Sequence, residues 1–186
     1  MLGSACGDDV VRGMLTTIAI LAAVAAISGG VIFLVGPERI WRIFGPPDLG
    51  PIEFETLERR TTPNDALACP PDLCQAKSDL VPPLFTVDAD TLRAAMAKVI
   101  ASEPRVTLID SNDATLTERY IQRSALLKFP DTIVVRYIER PKWGATVALY
   151  SRSQLGHSDL GVNLSRLRRW LRKLKFYVGE PQSPGH

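Results

Sequence analysis

Hydrophobic positions fall along this chain in three regimes. From Met14 to Gly36 they run almost unbroken, MLTTIAILAAVAAISGGVIFLVG, with no charged residue. From Gly45 to Pro83 they are scattered among prolines without a period. From Leu84 onward they recur at helical or strand spacing, bounded by turn residues. Each regime predicts a different structure.

The first run is a membrane span by length. A helix rises about 1.5 Å per residue, so the run reaches roughly 34 Å, enough for a hydrocarbon core of about 30 Å. Ala23-Val24-Ala25 fits the small-x-small pattern of a signal-peptide cut. The leader, however, carries Arg12 against Asp8 and Asp9, and apolar sequence continues past that point to Val35. We read an uncleaved anchor. Trp41 and Phe44, interleaved with Arg39 and Arg42, form an interfacial belt just after it, with rings at headgroup level and cations toward phosphates.

The aperiodic stretch predicts an extended arm. Pro46-Pro47, Pro51, Pro63, Pro70-Pro71 and Pro82-Pro83 break any long helix. Cys69 and Cys74 enclose a turn-prone Pro-Pro-Asp, and such a pair can close a small disulfide loop. Zinc would want about four ligands, and His157 and His186 are distant in sequence. The pair also lacks the C-x-x-C spacing of a redox site. A disulfide implies an oxidising compartment. The Lys and Arg balance around the span leans weakly the other way, toward a cytoplasmic C-terminal side.

The periodic part predicts an α+β domain. Asp88 caps a helix that runs to about Ser102 and ends at Glu103-Pro104, with Leu92, Met96, Val99 and Ile100 on one face. Strands follow over 105–110, 116–124, 132–139 and 145–153, joined by short turns that imply antiparallel neighbours. A last helix covers about 163–176. Leu164, Leu167, Trp170, Leu171 and Leu174 fill one arc of it, and Arg166, Arg168, Arg169, Arg172, Lys173 and Lys175 the remainder. The expectation is an antiparallel sheet of about four strands with two helices packed on one face. The whole chain then reads as an N-terminal tail (1–13), a transmembrane helix (14–36), a Pro-rich interfacial arm (37–83), the α+β domain (84–177) and a flexible tail (178–186).

Charge and composition narrow the function classes. Lys plus Arg number 22 and Asp plus Glu 20, a net charge of +2. That is no basic excess of the kind a nucleic-acid binder carries. Three cysteines are too few for a disulfide scaffold. The basic face of the last helix, on Arg168, Arg169, Arg172 and Lys173, is a solvated surface or a contact for anionic lipid.

The densest polar cluster is Ser151-Arg152-Ser153-Gln154-Leu155-Gly156-His157-Ser158-Asp159-Leu160-Gly161-Val162-Asn163, between the last strand and the basic helix. A catalytic reading makes Ser158 or Ser153 a nucleophile with His157 as base and Asp159 as orienter, but adjacent residues do not readily converge as a triad. A nucleotide loop is excluded, because no Gly-Lys-Ser/Thr follows the glycines. A structural reading has Asn163 or Ser158 cap the helix, Asp159 accept backbone N–H groups, and Gly156 and Gly161 supply positive φ. Exposed N–H groups with Arg152 nearby would also suit an anionic group. No metal and no cofactor are expected.

This stretch resembles the signature of a bacterial and plastid family known as domain of unknown function 1499, S-x-S-R/Q-x-G-x-S-D-x-G-x-N before a basic helix. Ser151, Ser153, Gly156, Ser158, Asp159, Gly161 and Asn163 are the matching residues. Phe129-Pro130-Asp131 matches the family's Phe-x-Asp, and Cys69-Pro70 to Cys74 its Cys-Pro…Cys element, with four intervening residues where the family more often has five. The resemblance covers roughly 66–176 and implies a shared fold without an activity. The expected function is a membrane-tethered accessory or binding domain of the bacterial envelope, spanning the inner (plasma) membrane once with its soluble domain periplasmic. Its expected partners are the membrane itself and an anionic lipid or a protein, not nucleic acid. The alternative is a hydrolase acting through the Ser151–Asn163 loop.

Overall fold

The computed structural model describes residues 5–179. They form two compact units, one ending at Phe44 and one beginning at Gly45. The tail expected beyond Gly179 lies outside the described residues.

The N-terminal unit is dominated by helix α1, Ala5–Val35. Its stretch Val10–Val31 has a mean hydropathy of 2.1 and is long and apolar enough to cross a bilayer. Ile18, Leu21, Val24 and Ile27 are each more than half exposed, a poor fit to water for a helix apolar on every side. Gly36 then turns the chain at a φ of 81° into the short helix α2, Pro37–Trp41, with Pro37 in the first turn, where its missing N–H costs nothing. A 3₁₀ turn, Arg42–Phe44, ends the unit.

The second unit is built on a five-stranded antiparallel sheet. Its strands are β1 (Asp65–Ala68), β2 (Val106–Asn112), β3 (Thr117–Arg123), β4 (Pro130–Arg140) and β5 (Gly144–Ser153), in the order β1-β5-β4-β3-β2. The sequence predicts about four strands, and the structure corrects this to five. The addition is β1, inside the proline-rich arm. Four residues are too few to show a period, and only pairing with distant β5 (Asp65 opposite Arg152, Ala68 opposite Leu149) makes them a strand. The outer edge of β1 is closed by its own chain, since the backbone of Asp79 and Leu80 donates to Leu67 O.

Two further helices belong to this unit, α3 (Ala89–Ala101) and α4 (Val162–Val178), and both contact the sheet. Asp88 caps α3 as expected, accepting from Thr91 N at 2.6 Å. Alternation along β5 sends Val147 and Leu149 to the helices, where Leu92, Met96, Val99, Leu167, Trp170 and Leu174 complete a dry core. The intervening residues, Ala148 and Tyr150, face the other way. There the arm folds back over the sheet, and Phe54, Leu67 and Cys69 make a second core with them. The sheet is thus covered on both faces, by helices on one and by irregular chain on the other.

The disulfide Cys69–Cys74 is formed, with a Cα–Cα distance of 6.2 Å, and it closes the loop that flanks this second core. At the start of β1 the Asp65 carboxylate accepts from Arg59 at 2.8 Å and from the Tyr150 hydroxyl at 2.7 Å. On the helix face Glu118 accepts from Tyr120, Tyr137 and Arg93 at 2.6–2.7 Å. Gly144, at the β4–β5 hairpin, has a φ of 107°, and a Cβ there would meet Phe85 O at 1.9 Å, so no other residue fits.

Candidate functional site

The 151–163 stretch begins on β5, where alternation divides its polar side chains between two faces. Ser151 and Ser153 point toward α4, while Arg152 points to the arm. The Arg152 guanidinium donates to Leu49 O and Gly50 O, both at 2.7 Å, and lies 5.8 Å from the centre of the Tyr150 ring. Burial lowers its pKa. Ser151 and Arg152, candidates for one site, are therefore on opposite sides of the sheet.

Ser151 and Ser153 instead enter a buried polar network with the first turn of α4. Ser151 Oγ donates to Asn163 Oδ1 at 2.6 Å. Asn163 Nδ2 donates to Ser153 Oγ at 3.0 Å and to Asn64 O at 3.1 Å. Arg166 donates to Gln122 Oε1, to Asn163 Oδ1, to Ser151 Oγ at 2.7 Å and to Asp131 Oδ2 at 2.6 Å. Asn163 thereby uses both its donors and both acceptor positions of its carbonyl, which fixes the amide in one orientation. Ser151 and Asn163 are fully buried, and Arg166 is 4% exposed. Taking a guanidinium out of water is costly unless an opposite charge and further acceptors meet it. Asp131, Gln122, Ser151 and Asn163 supply both.

The loop from Gln154 to Gly161 is held from below and shaped from within. Asn64 Nδ2 donates to Gly156 O at 2.7 Å, and Ser153 N donates to Asn64 O at 2.9 Å. Gly156 has a φ of 91°. Asp159 accepts from Gly161 N at 3.0 Å and from Asn163 N at 2.7 Å, so its carboxylate satisfies N–H groups at the start of α4, where the helix dipole also favours a negative charge. The residue at the cap position itself is Gly161, with a φ of 78° and no side-chain cap bond. Ser158 Oγ accepts from Leu160 N within the turn, and Asn163 is in the core network. The capping role expected of Asn163 or Ser158 thus belongs to Asp159, two residues upstream of the cap position. His157 is exposed.

The basic face of α4 is also redistributed. Arg166, read as part of it, lies inside the network above. Glu103, whose side chain is 2% exposed, accepts from Arg169 at 2.7 Å and Lys173 at 2.6 Å. Burial opposes ionisation of Glu103, but hydrogen bonds from these cations outweigh it and hold the pKa down at about 2. Arg168 and Arg172 are exposed.

Asn64, Gln122, Asp131 and Arg166 are the members of the network that sequence reasoning did not assemble. Asp131 was visible only as the acid of the Phe129-Pro130-Asp131 element. Arg166 stands one turn after Asn163 at the margin of the apolar arc, a position from which a long side chain can turn inward. Asn64 carried no local signal.

Two concavities adjoin the loop. A cleft of about 290 Å³ is lined by Phe129, Ser153, Leu155, Leu160 and Val162, and an open groove of about 580 Å³ by Arg59, Arg60, Ser158, Asp159 and Gly161. Neither brings Ser151, Arg152 and His157 together. Among the described residues no three His, Cys, Asp or Glu side chains gather as a metal site.

Fold and loop define a class: a small α+β domain with a sheet covered on both faces, following an apolar helix of spanning length. The chain matches the family described as Protein of unknown function (DUF1499) over residues 54–174, about two thirds of its length, and it belongs to that family. The match opens at Phe54, in the second core, so the arm's covering layer is part of the family's domain. No curated protein and no solved structure matches it.

Proposed function

We propose that this protein is a tethered accessory or binding domain of the bacterial envelope, spanning the inner membrane once with its α+β domain on the periplasmic side. The observation that carries the reading is the engagement of the signature side chains with one another. Ser151, Ser153 and Asn163 are hydrogen-bonded beneath the surface, Asp159 holds the start of α4, and His157 faces solvent. A hydroxyl that must attack a substrate needs a base within reach; of the two candidate nucleophiles, Ser153 Oγ accepts from Asn163 Nδ2 inside the network and Ser158 Oγ accepts from Leu160 N in its own turn, which supports the scaffold reading. The motif works as scaffold, and recognition falls to the surfaces it holds in place. The partner is a protein or an anionic lipid; of the four lipid-contact candidates on α4, Arg168 and Arg172 are the exposed ones, since Arg169 and Lys173 are engaged by Glu103.

The test is affinity purification of the full chain from detergent-solubilised membranes, comparing the native protein with His157→Ala. The same partner should be retained by both. Loss of the cellular phenotype in His157→Ala, at unchanged abundance and melting temperature, would favour the hydrolase. A C-terminal alkaline phosphatase fusion should be active, and an inactive fusion would put the domain in the cytoplasm.

A further inference from the structure

A third concavity, of about 500 Å³, lies where the α3–β2 turn (102–105) and the last residues of β3 meet α4. That is room for a small molecule rather than a bare ion. Its lining is unbalanced in charge. Arg105, Arg166, Arg169 and Lys173 line it with one acid, Glu103, and Asp131 matches Arg166 from within the buried network. Arg123 also lines it but is engaged at Lys128 O, and the excess does not need it. Four cations against two acids leave two positive charges. The groove beside the 154–161 loop has no such surplus, since Arg59 and Arg60 there stand against Asp65, Asp79 and Asp159.

The cations are held in place before any ligand arrives. The Glu103 side chain is 2% exposed, while those of Arg169 and Lys173, bonded to it at 2.7 and 2.6 Å, are 40% and 35% exposed. A carboxylate beneath two half-open cations fixes them side by side, which lowers the entropic cost of gathering them on a ligand. Their donors are not exhausted. Arg169 uses Nε and Nη2 on Glu103, Lys173 uses two N–H groups on Glu103 and Ser102 Oγ, and Arg105 uses Nε on Arg123 O. Among the described residues, Nη1 of Arg169, both Nη atoms of Arg105 and one N–H of Lys173 are left without an acceptor.

Such donors call for an anion, and a surplus of two charges sets its valence. A phosphate monoester carries about −1.5 to −2 at neutral pH on three acceptor oxygens, whereas a carboxylate brings a single charge. Arginine forks also match phosphate geometry. We propose that this cleft binds the phosphate of a small phosphomonoester, with Arg169 and Lys173 as paired grips, Arg105 as a third, and the remaining volume for the group that the phosphate carries. A soluble ester and a lipid headgroup that ends in a monoester offer the same chemistry. The inference goes beyond the tethered reading above and does not depend on it, because it uses neither the span nor Arg168 and Arg172.

The experiment titrates the full chain in nonionic detergent with glycerol 3-phosphate, read by calorimetry at low ionic strength. The native protein should bind one equivalent. Dimethyl phosphate, a diester with a single charge, should bind several-fold more weakly. Arg105→Gln and Arg169→Gln should each weaken glycerol 3-phosphate binding about tenfold. Arg168→Gln removes an exposed cation outside the cleft and should leave binding unchanged. Arg105 is exposed, so Arg105→Gln should keep the native melting temperature, and it carries the test if Arg169→Gln, which breaks the bond to Glu103, fails to fold. Micelles containing phosphatidic acid separate the two sources. Loss of glycerol 3-phosphate binding there means that a lipid headgroup takes the cleft, and retained binding means that the ligand is a soluble ester. No binding by the native protein, or equal binding of the diester, would overturn the proposal. So would an equal loss in Arg105→Gln and Arg168→Gln, which would reduce the effect to general attraction by a cationic surface.

Discussion

Arg166 reaches Gln122, Ser151, Asn163 and Asp131 from one buried position, so its loss is felt by all of them. Arg166→Ala would leave the Asp131 carboxylate buried without its counter-charge, and breaking a buried pair from one side costs about 3–5 kcal/mol. Arg166→Lys should rescue little, because a point ammonium cannot address several acceptors with the guanidinium's fixed fork. Adding Asp131→Asn to Arg166→Ala should recover part of the loss, since it removes the stranded charge. Chemical denaturation of the full chain in mild detergent measures all three, and a cost below about 1 kcal/mol for Arg166→Ala would show that the network is incidental to folding. Asp159→Asn replaces a charged acceptor of two N–H groups with a neutral one and should cost about 1 kcal/mol. His157→Ala, at an exposed position, should leave the midpoint unmoved.

At the scale of elements, α3 and α4 are joined by Glu103, and this junction gives the domain a pH dependence. The Glu103 carboxyl is held at about 2 against an ordinary value of 4.5. A depressed folded-state pKa contributes stability that is complete above the unfolded value and is lost as pH falls through the folded one. The loss belongs to the window from about pH 4.5 down to about 2. Arg169→Gln with Lys173→Gln should lower stability at neutral pH and flatten melting temperature against pH in that window. An unchanged acid limb would mean that Asp65 and Glu55, also lowered by arginine and backbone donors, carry the acid dependence instead. The same helix shows how far periodicity reaches. The arc of Leu167, Trp170, Leu171 and Leu174 is buried as its spacing predicts. The same spacing puts Arg166 and Arg169 on the basic face, open to solvent or anionic lipid, because a helical wheel places Cβ atoms only, and a long side chain can still bend toward an acid on another element. Strand β1 escaped for the complementary reason: nothing within four residues announces a strand whose partner is some eighty residues on. The signature residues were legible as a cluster, and Asp159 as an acceptor of N–H groups. That Ser151 and Arg152 part company across the sheet follows from strand alternation over 145–153, an extent the sequence itself predicts and β5 has.

At the scale of the whole molecule, the arm and its disulfide tie fold to compartment. The second face of the sheet is covered by irregular chain, which holds its shape through Phe54, the Asp65 bonds and the Cys69–Cys74 loop. Closing a loop this small removes about 2 kcal/mol of unfolded-state freedom, so Cys69→Ser with Cys74→Ser should lower stability by roughly that amount, and a reductant should bring the native protein to the same level. A domain that relies on this bond needs an oxidising environment. The weak charge bias around the span argues for the cytoplasm, so the two signals conflict and one measurement separates them. Thiols trapped with an alkylating reagent in living cells, before and after reduction, should show Cys69 and Cys74 modified only after reduction. If both react in intact cells without reductant, the bond does not form where the protein works, and the periplasmic assignment fails. With the bond oxidised, the arm is pinned as a rigid layer beneath β5, and Arg152 can hold the entry segment at Leu49 and Gly50 in register. Because that segment leads directly to the span, reduction should loosen the entry end before the helix-covered core. Hydrogen exchange should therefore rise at Gly45–Ala68 on adding reductant, while β3 and β4 amides facing α3 and α4 keep their protection.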